Sequence, residues 1–121
     1  MPVKGSCHCG AFRFTLAEAP AEVTRCTCSI CSRRGALWAY YVPEDVSMEK
    51  PTSDTVYRWQ SCTVTFHSCP RCGCTTYNES PSWVDGAPDF AHPRLAINAR
   101  LLEGIDVEAI PVTVIDGRNL W

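Results

Sequence analysis

The sequence lacks any apolar run approaching the about 20 residues that a membrane span requires. It also lacks a segment of about ten or more residues with the 3.6-residue period of an amphipathic helix. Neither an internal repeat nor a linker of low complexity interrupts it. Strong charge of one sign is missing too. A net charge of −2 argues against a partner as anionic as nucleic acid, because a phosphate-tracking surface is normally basic. The first cysteine falls at Cys7, which leaves no space for an export leader. The expectation is therefore a chain that works in the reducing cytoplasm, away from membranes, with no oligomeric state implied.

What the sequence has in excess is cysteine, nine in 121 residues. A secreted disulfide framework would want a leader and usually an even count, so metal is the better explanation. Eight of the nine fall in three groups or beside one: Cys7-His8-Cys9-Gly10, Cys26-Thr27-Cys28-Ser29-Ile30-Cys31 and Cys69-Pro70-Arg71-Cys72-Gly73-Cys74. The last group contains a knuckle, two thiols separated by two residues. The glycine after the second allows the left-handed backbone step that lets both face one ion. In a domain this small, whose core can only be modest, zinc binding would also contribute directly to folding.

The surrounding pattern predicts a mainly β, zinc-stabilised domain over residues 1–121, with strands joined at cysteine turns and few or no long helices. Phe12, Phe14 and Leu16 alternate with Arg13 and Thr15 as one half-buried strand. Further strands are expected over 22–25, 37–42, 55–59, 62–67, 75–77, 94–98 and 112–115. The 62–67 and 75–77 strands put the knuckle in the turn of a hairpin. The cysteines from 26 to 31 are expected to nucleate a turn or short helix that Gly35 ends, and residues 99–103 one helical turn. Segments 44–54 and 79–93 read as surface loop and irregular connection, the second because of Pro81, Gly86, Pro88 and Pro93.

Joining Cys7 and Cys9 to Cys69 and Cys72 would make a closed set of four thiolates, the pattern of a structural zinc. Cys26, Cys28 and Cys31 can wrap one side of a second zinc and leave its fourth position for water or substrate, the pattern of a working site. The alternative is that Cys62, Cys74 or a histidine closes that site as well. Arg33 and Arg34 follow directly and would offset the negative charge of several thiolates, or simply be solvated. His8 reads as a spacer. His67 reads as solvent-facing or close to the second site, and His92 as plain surface. Trp38, Tyr40 and Tyr41 are either cleft wall or core. Asn98 is either a substrate contact or a backbone cap.

The three ordered clusters resemble the glutathione-dependent formaldehyde-activating enzyme family, which also takes in centromere protein V. The resemblance continues in Cys74-Thr75-Thr76-Tyr77, in Ile97-Asn98-Ala99-Arg100-Leu101 and in Asp116-Gly117-Arg118-Asn119-Leu120-Trp121. It implies β-sheets around zinc, a structural ion on Cys7, Cys9, Cys69 and Cys72, and a glutathione-responsive ion on Cys26, Cys28 and Cys31. It further implies a carbon–sulfur lyase acting on a glutathione–aldehyde adduct such as S-hydroxymethylglutathione. The forked guanidiniums of Arg33 and Arg34 suit glutathione's carboxylates, and Asn98 is a candidate contact for the same ligand. Two other classes remain open at this point: a zinc-stabilised binding module without turnover, and a thiol redox sensor using Cys26, Cys28 and Cys31.

Overall fold

A computed structural model describes residues 1–58 and 63–120, so the expectations for Trp59, Cys62 and Trp121 lie outside the described residues. The chain runs through strands β1 (Val3–Ser6), β2 (Arg13–Leu16) and β3 (Val23–Cys26), then a short helix α1 (Ser29–Arg34). Next come β4 (Trp38–Tyr41), β5 (Val46–Glu49), β6 (Thr55–Tyr57) and β7 (Thr65–Ser68). Two long strands follow, β8 (Thr75–Val84) and β9 (Ala87–Asn98), and the chain closes with β10 (Val112–Ile115) and α2 (Gly117–Leu120). The fold is mostly β, and no described helix is long and apolar enough to cross a membrane.

Two sheets form. The smaller has the order β1-β2-β5 and the larger β10-β3-β4-β9-β8-β7-β6, and among the described residues only the β10–β3 pair is parallel. Side chains alternate across the large sheet with the two-residue period of a strand. Val23, Ala39, Tyr77, Leu95 and Ile97 face Phe12, Phe14 and Leu16 and build the main core. Trp38, Phe66 and Ala96, each one residue out of step with those, face the opposite way and pack with Cys26, Cys28, Cys31 and Ala36. One sheet thus separates a hydrocarbon core from a cysteine-bearing face.

Three segments differ from the sequence expectation. Residues 46–49 are strand rather than loop, because Val46 and Met48 alternate inward against Leu16 and Phe14 while Ser47 and Glu49 disguise the pattern. The 79–93 connection is a two-stranded arm of β8 and β9. Its tip, Asp85 at φ 50° and Gly86 at φ 79°, has the paired positive φ of a tight hairpin turn. Its prolines are tolerated because Pro81 and Pro93 oppose each other where the register already shifts, so little ladder bonding is lost there. Strand β1 is the third difference. Its central Gly5 is a poor strand former, but the position lies tight against its neighbours. A Cβ on Gly5 would collide with the Phe14 ring and lie 2.5 Å from the Leu101 carbonyl oxygen. Gly5→Ala is therefore expected to destabilise the fold by about 2 kcal/mol, read as a lower urea midpoint with an unchanged slope.

Candidate metal centres and the sheet face beside them

The first cluster is built by two hairpin turns of similar design. Cys7 ends β1, accepts from the Gly10 N–H at 3.2 Å through its carbonyl, and donates its own N–H to Phe12 O at 3.0 Å. Cys69 ends β7, accepts from the Gly73 N–H at 3.0 Å, and donates to Cys74 O at 2.9 Å. Gly10 and Gly73 both sit at φ +80°, the left-handed step that turns each chain back under its thiols. The sulfurs of Cys7, Cys9, Cys69 and Cys72 all lie within 4.8 Å of one another. Cys9 Sγ is 3.7 Å from Cys7 Sγ and 3.6 Å from Cys69 Sγ. A regular tetrahedron with zinc–sulfur bonds of about 2.3 Å has edges of about 3.8 Å, so the donor set fits that ion.

Backbone donors bias these thiols. The Cys72 N–H holds the Cys69 thiol below its ordinary range. Burial opposes ionisation of Cys72, but N–H groups of Cys74 and Cys9 outweigh it and hold that thiol down to about 5. Cys9 has the Ala11 N–H in its favour, yet local desolvation beside the neighbouring sulfurs pushes it up to about 11 although the residue is exposed. Cys74 borders this cluster rather than the other, since its neighbours are Cys72, Cys7 and the His8 N–H.

The second cluster comes from the end of β3 and the start of α1. Cys28 caps the helix, its sulfur accepting the Cys31 N–H at 3.5 Å, and Gly35 at φ 69° closes the other end. This is why two thiols spaced three apart converge: the cap places one beside the first turn and the turn presents the other. Cys26, Cys28 and Cys31 are all buried, with their sulfurs within 4.8 Å of one another. Among the described residues no further histidine, cysteine, aspartate or glutamate joins them. Burial raises the Cys26 thiol. Burial also pushes Cys31 up to about 12, against the Trp38 indole N–H, which favours its thiolate. Burial works against Cys28 as well, but the Cys31 N–H and the two neighbouring thiols bring it down. The Trp38 ring is 2% exposed, and its Nε1 has no aligned hydrogen-bond partner although it lies beside this sulfur.

The other expected residues divide. Arg34 lies over this face, half-buried, with its guanidinium 5.8 Å from the Phe66 and Tyr57 ring centres and its Nη1 buried without a partner. Arg33 is exposed and folds back to donate to Ser29 O at 2.9 Å on its own helix. Asn98 uses both ends of its amide on backbone, donating to Thr75 O at 2.8 Å and accepting from Arg100 N at 3.2 Å. Tyr41 donates to Glu18 O, and His92 is exposed beside Asp89. His67 corrects its expectation on both counts. It is buried and stacked on Tyr77 at 4.1 Å, on the sheet face away from Phe66, with Nδ1 2.7 Å from Asp54 Oδ2. Its Nε2 is 3.2 Å from Glu79 Oε1 but out of hydrogen-bond alignment.

Sequence reasoning missed Arg94, which lies 4.3 Å over the Tyr40 ring on the cysteine-bearing face. Its alternation with Leu95 and Ile97 was the available signal. A cleft of about 440 Å³ meets this face at Thr24 and Tyr40, and Glu18, Glu22 and Asp45 make its rim acidic.

His67→Ala should cost about 3 kcal/mol in urea unfolding, because it leaves Asp54 without its hydrogen-bond partner and strips a ring from Tyr77. Bound metal per folded chain should not change. A lost ion would put His67 at a metal centre.

The sequence profile of the glutathione-dependent formaldehyde-activating enzyme family matches residues 2–90. A curated relative from Halomonas elongata, provisionally named a glutathione-dependent formaldehyde-activating enzyme, is 28% identical over 103 aligned residues. The alignment takes in 77% of this chain but only 63% of that relative, so the chain spans less than two thirds of its length. A crystal structure of a Rhodobacter sphaeroides protein is similar at a TM-score of 0.69 and 29% identity, covering 91% of this chain and 99% of that one.

Proposed function

Because the chain belongs to the glutathione-dependent formaldehyde-activating enzyme family, we propose that it is a zinc-dependent carbon–sulfur lyase acting on a thiol–aldehyde adduct such as S-hydroxymethylglutathione. In this reading residues 1–121 form one zinc-binding domain that works in the reducing cytoplasm. Cys7, Cys9, Cys69 and Cys72 hold a structural ion, and Cys26, Cys28 and Cys31 hold a working one. The observation that carries the reading is the difference in completeness between the clusters: four converging sulfurs in one, three in the other with no described fourth ligand.

A zinc ion on the three thiolates would supply the Lewis acidity that keeps an incoming thiol deprotonated at neutral pH. The chain's own residues do the rest. Cys26, Cys28 and Cys31, from β3 and α1, would hold that ion, and they pack with Phe66, over which the Arg34 guanidinium lies. Three thiolates and a divalent ion sum to a net negative charge, which an added thiolate increases. The Arg34 guanidinium opposes that growth, and it is half-buried, where its field is less screened than in bulk water. The Trp38 N–H, held in the floor, is a second donor toward sulfur. In synthesis of the adduct, a sulfur lone pair forms the carbon–sulfur bond. The carbonyl electron pair moves to oxygen, which takes up the proton that the thiol gave away. The lyase direction reverses each transfer: the hydroxyl proton leaves, the carbonyl re-forms and the carbon–sulfur pair returns to sulfur.

Cys28→Ser should leave a folded protein with about half the zinc and no thiol response, whereas Cys72→Ser should give insoluble protein. Equal collapse of both would make both sites structural. A chelator should remove one equivalent of zinc with the circular dichroism intact and the second only as the chain unfolds. Exchange between formaldehyde and glutathione, measured against the uncatalysed rate, tests turnover. A rate no faster than background, with glutathione still bound, would make the protein a binding module.

A further inference from the structure

The face of the large sheet that carries the three thiols also carries two cations with no carboxylate partner among the described residues. Arg34 comes from the last turn of α1, three residues after Cys31 and so on the same side of the helix. It reaches over Phe66 on β7 and Tyr57 on β6, and its Nη1 is buried yet unbonded. Arg94 comes from β9, two residues before Ala96, and leans back over Tyr40 on β4. Its Nε is occupied by Ser80 Oγ at 3.3 Å, which fixes the plane of the guanidinium and leaves the outer nitrogens free. The row that joins Tyr40 to Phe66 passes through Ala96 and Asn78, with Trp38 beside Tyr40 on β4; Trp38, Phe66 and Ala96 pack in one cluster with Cys26, Cys28 and Cys31. The indole N–H of Trp38, unpartnered and almost wholly buried, lies beside Cys31.

These positions define a linear arrangement. In the sheet, β4 and β7 are separated by β9 and β8. At about 4.8 Å per strand, the Tyr40 and Phe66 columns that seat the two guanidiniums lie about 14 Å apart. An extended peptide covers about 3.5 Å per residue, so a ligand of three residues or so, helped by the reach of two arginines, spans that interval. Two cationic forks at that separation, on the face that carries the three thiols, match one chemical class.

Resting on the lyase reading above, we infer that Arg34 and Arg94 bind the two terminal carboxylates of a short peptide thiol whose sulfur lies mid-chain, and so select glutathione-like substrates over small thiols. The pairing also explains why these arginines have no acidic partner among the described residues: a carboxylate there would compete with the ligand's own. A forked guanidinium held in plane offers a carboxylate two parallel hydrogen bonds, which sets orientation as well as affinity. Arg94 is the new element. It lies over Tyr40 on β4, well apart from Arg34 over Phe66 on β7, and without it only one end of the ligand would be held.

The test is thiol binding to cobalt-substituted protein, followed by the change in the visible absorption bands of the metal. Wild type should bind glutathione about a hundredfold more tightly than glutathione diethyl ester, whose carboxylates are masked, or 2-mercaptoethanol. Arg34→Gln and Arg94→Gln should each raise the glutathione Kd about tenfold and leave the 2-mercaptoethanol Kd unchanged. The inference is overturned if wild type binds the diester as tightly as glutathione, a comparison that needs no variant to fold. It is overturned equally if either substitution weakens both thiols alike, since the arginine would then act through the fold or the charge of the site. If no thiol perturbs the cobalt bands of wild type, the lyase reading itself fails.

Discussion

The structure turns on the meeting of two hairpin turns separated by some 60 residues of chain. Each is closed by its own backbone hydrogen bonds and a left-handed glycine, and each delivers thiols to the same point. Cys7 and Cys69 are buried in the main core while Cys9 is exposed, so the cluster lies at the edge of the hydrocarbon rather than inside it. In a chain this short the apolar core cannot be large, and a metal ion bound by both turns would hold the β1–β2 sheet on the larger one. Without that convergence the small sheet would be a three-stranded fragment with one buried face and little else to hold it.

The large sheet converts this scaffold into a site. Alternation along β4 and β9 sends Ala39, Leu95 and Ile97 into the core and Trp38, Tyr40, Arg94 and Ala96 to the other side. The second cysteine cluster is therefore mounted on the back of a rigid wall, and α1 supplies the rest of it. An unpartnered buried indole N–H and a half-buried guanidinium are costly unless they have something to bind. Such costs concentrate where a ligand belongs.

Much of this was readable as a one-dimensional pattern. The alternation at Phe12, Phe14 and Leu16, the knuckle in a hairpin turn and the short helix ended by Gly35 are all local, and the structure has each of them. Less legible were segments whose pattern was overwritten by composition. Val46 and Met48 were hidden among charged and polar neighbours, and the β8–β9 arm was hidden by prolines that a register shift accommodates. His67 was misplaced for a different reason. Its face was correctly opposite that of Phe66, but only the packing of the small sheet and the Asp54 carboxylate reveal that this face is buried.

Thiol spacing is a property of a few consecutive residues, since a turn of given length and a glycine at one step bring two sulfurs together wherever the turn ends up. The chain written out was therefore enough to say that metal-type clusters exist, how many thiols each group offers, and to which family they belong. Which side chains look onto those clusters depends instead on strand order and register, set by pairings between residues far apart in the chain. That long-range geometry put Arg94 and Trp38 on the face of the three thiols, turned Asn98 to a backbone partner on β8, and left Cys74 beside the other cluster.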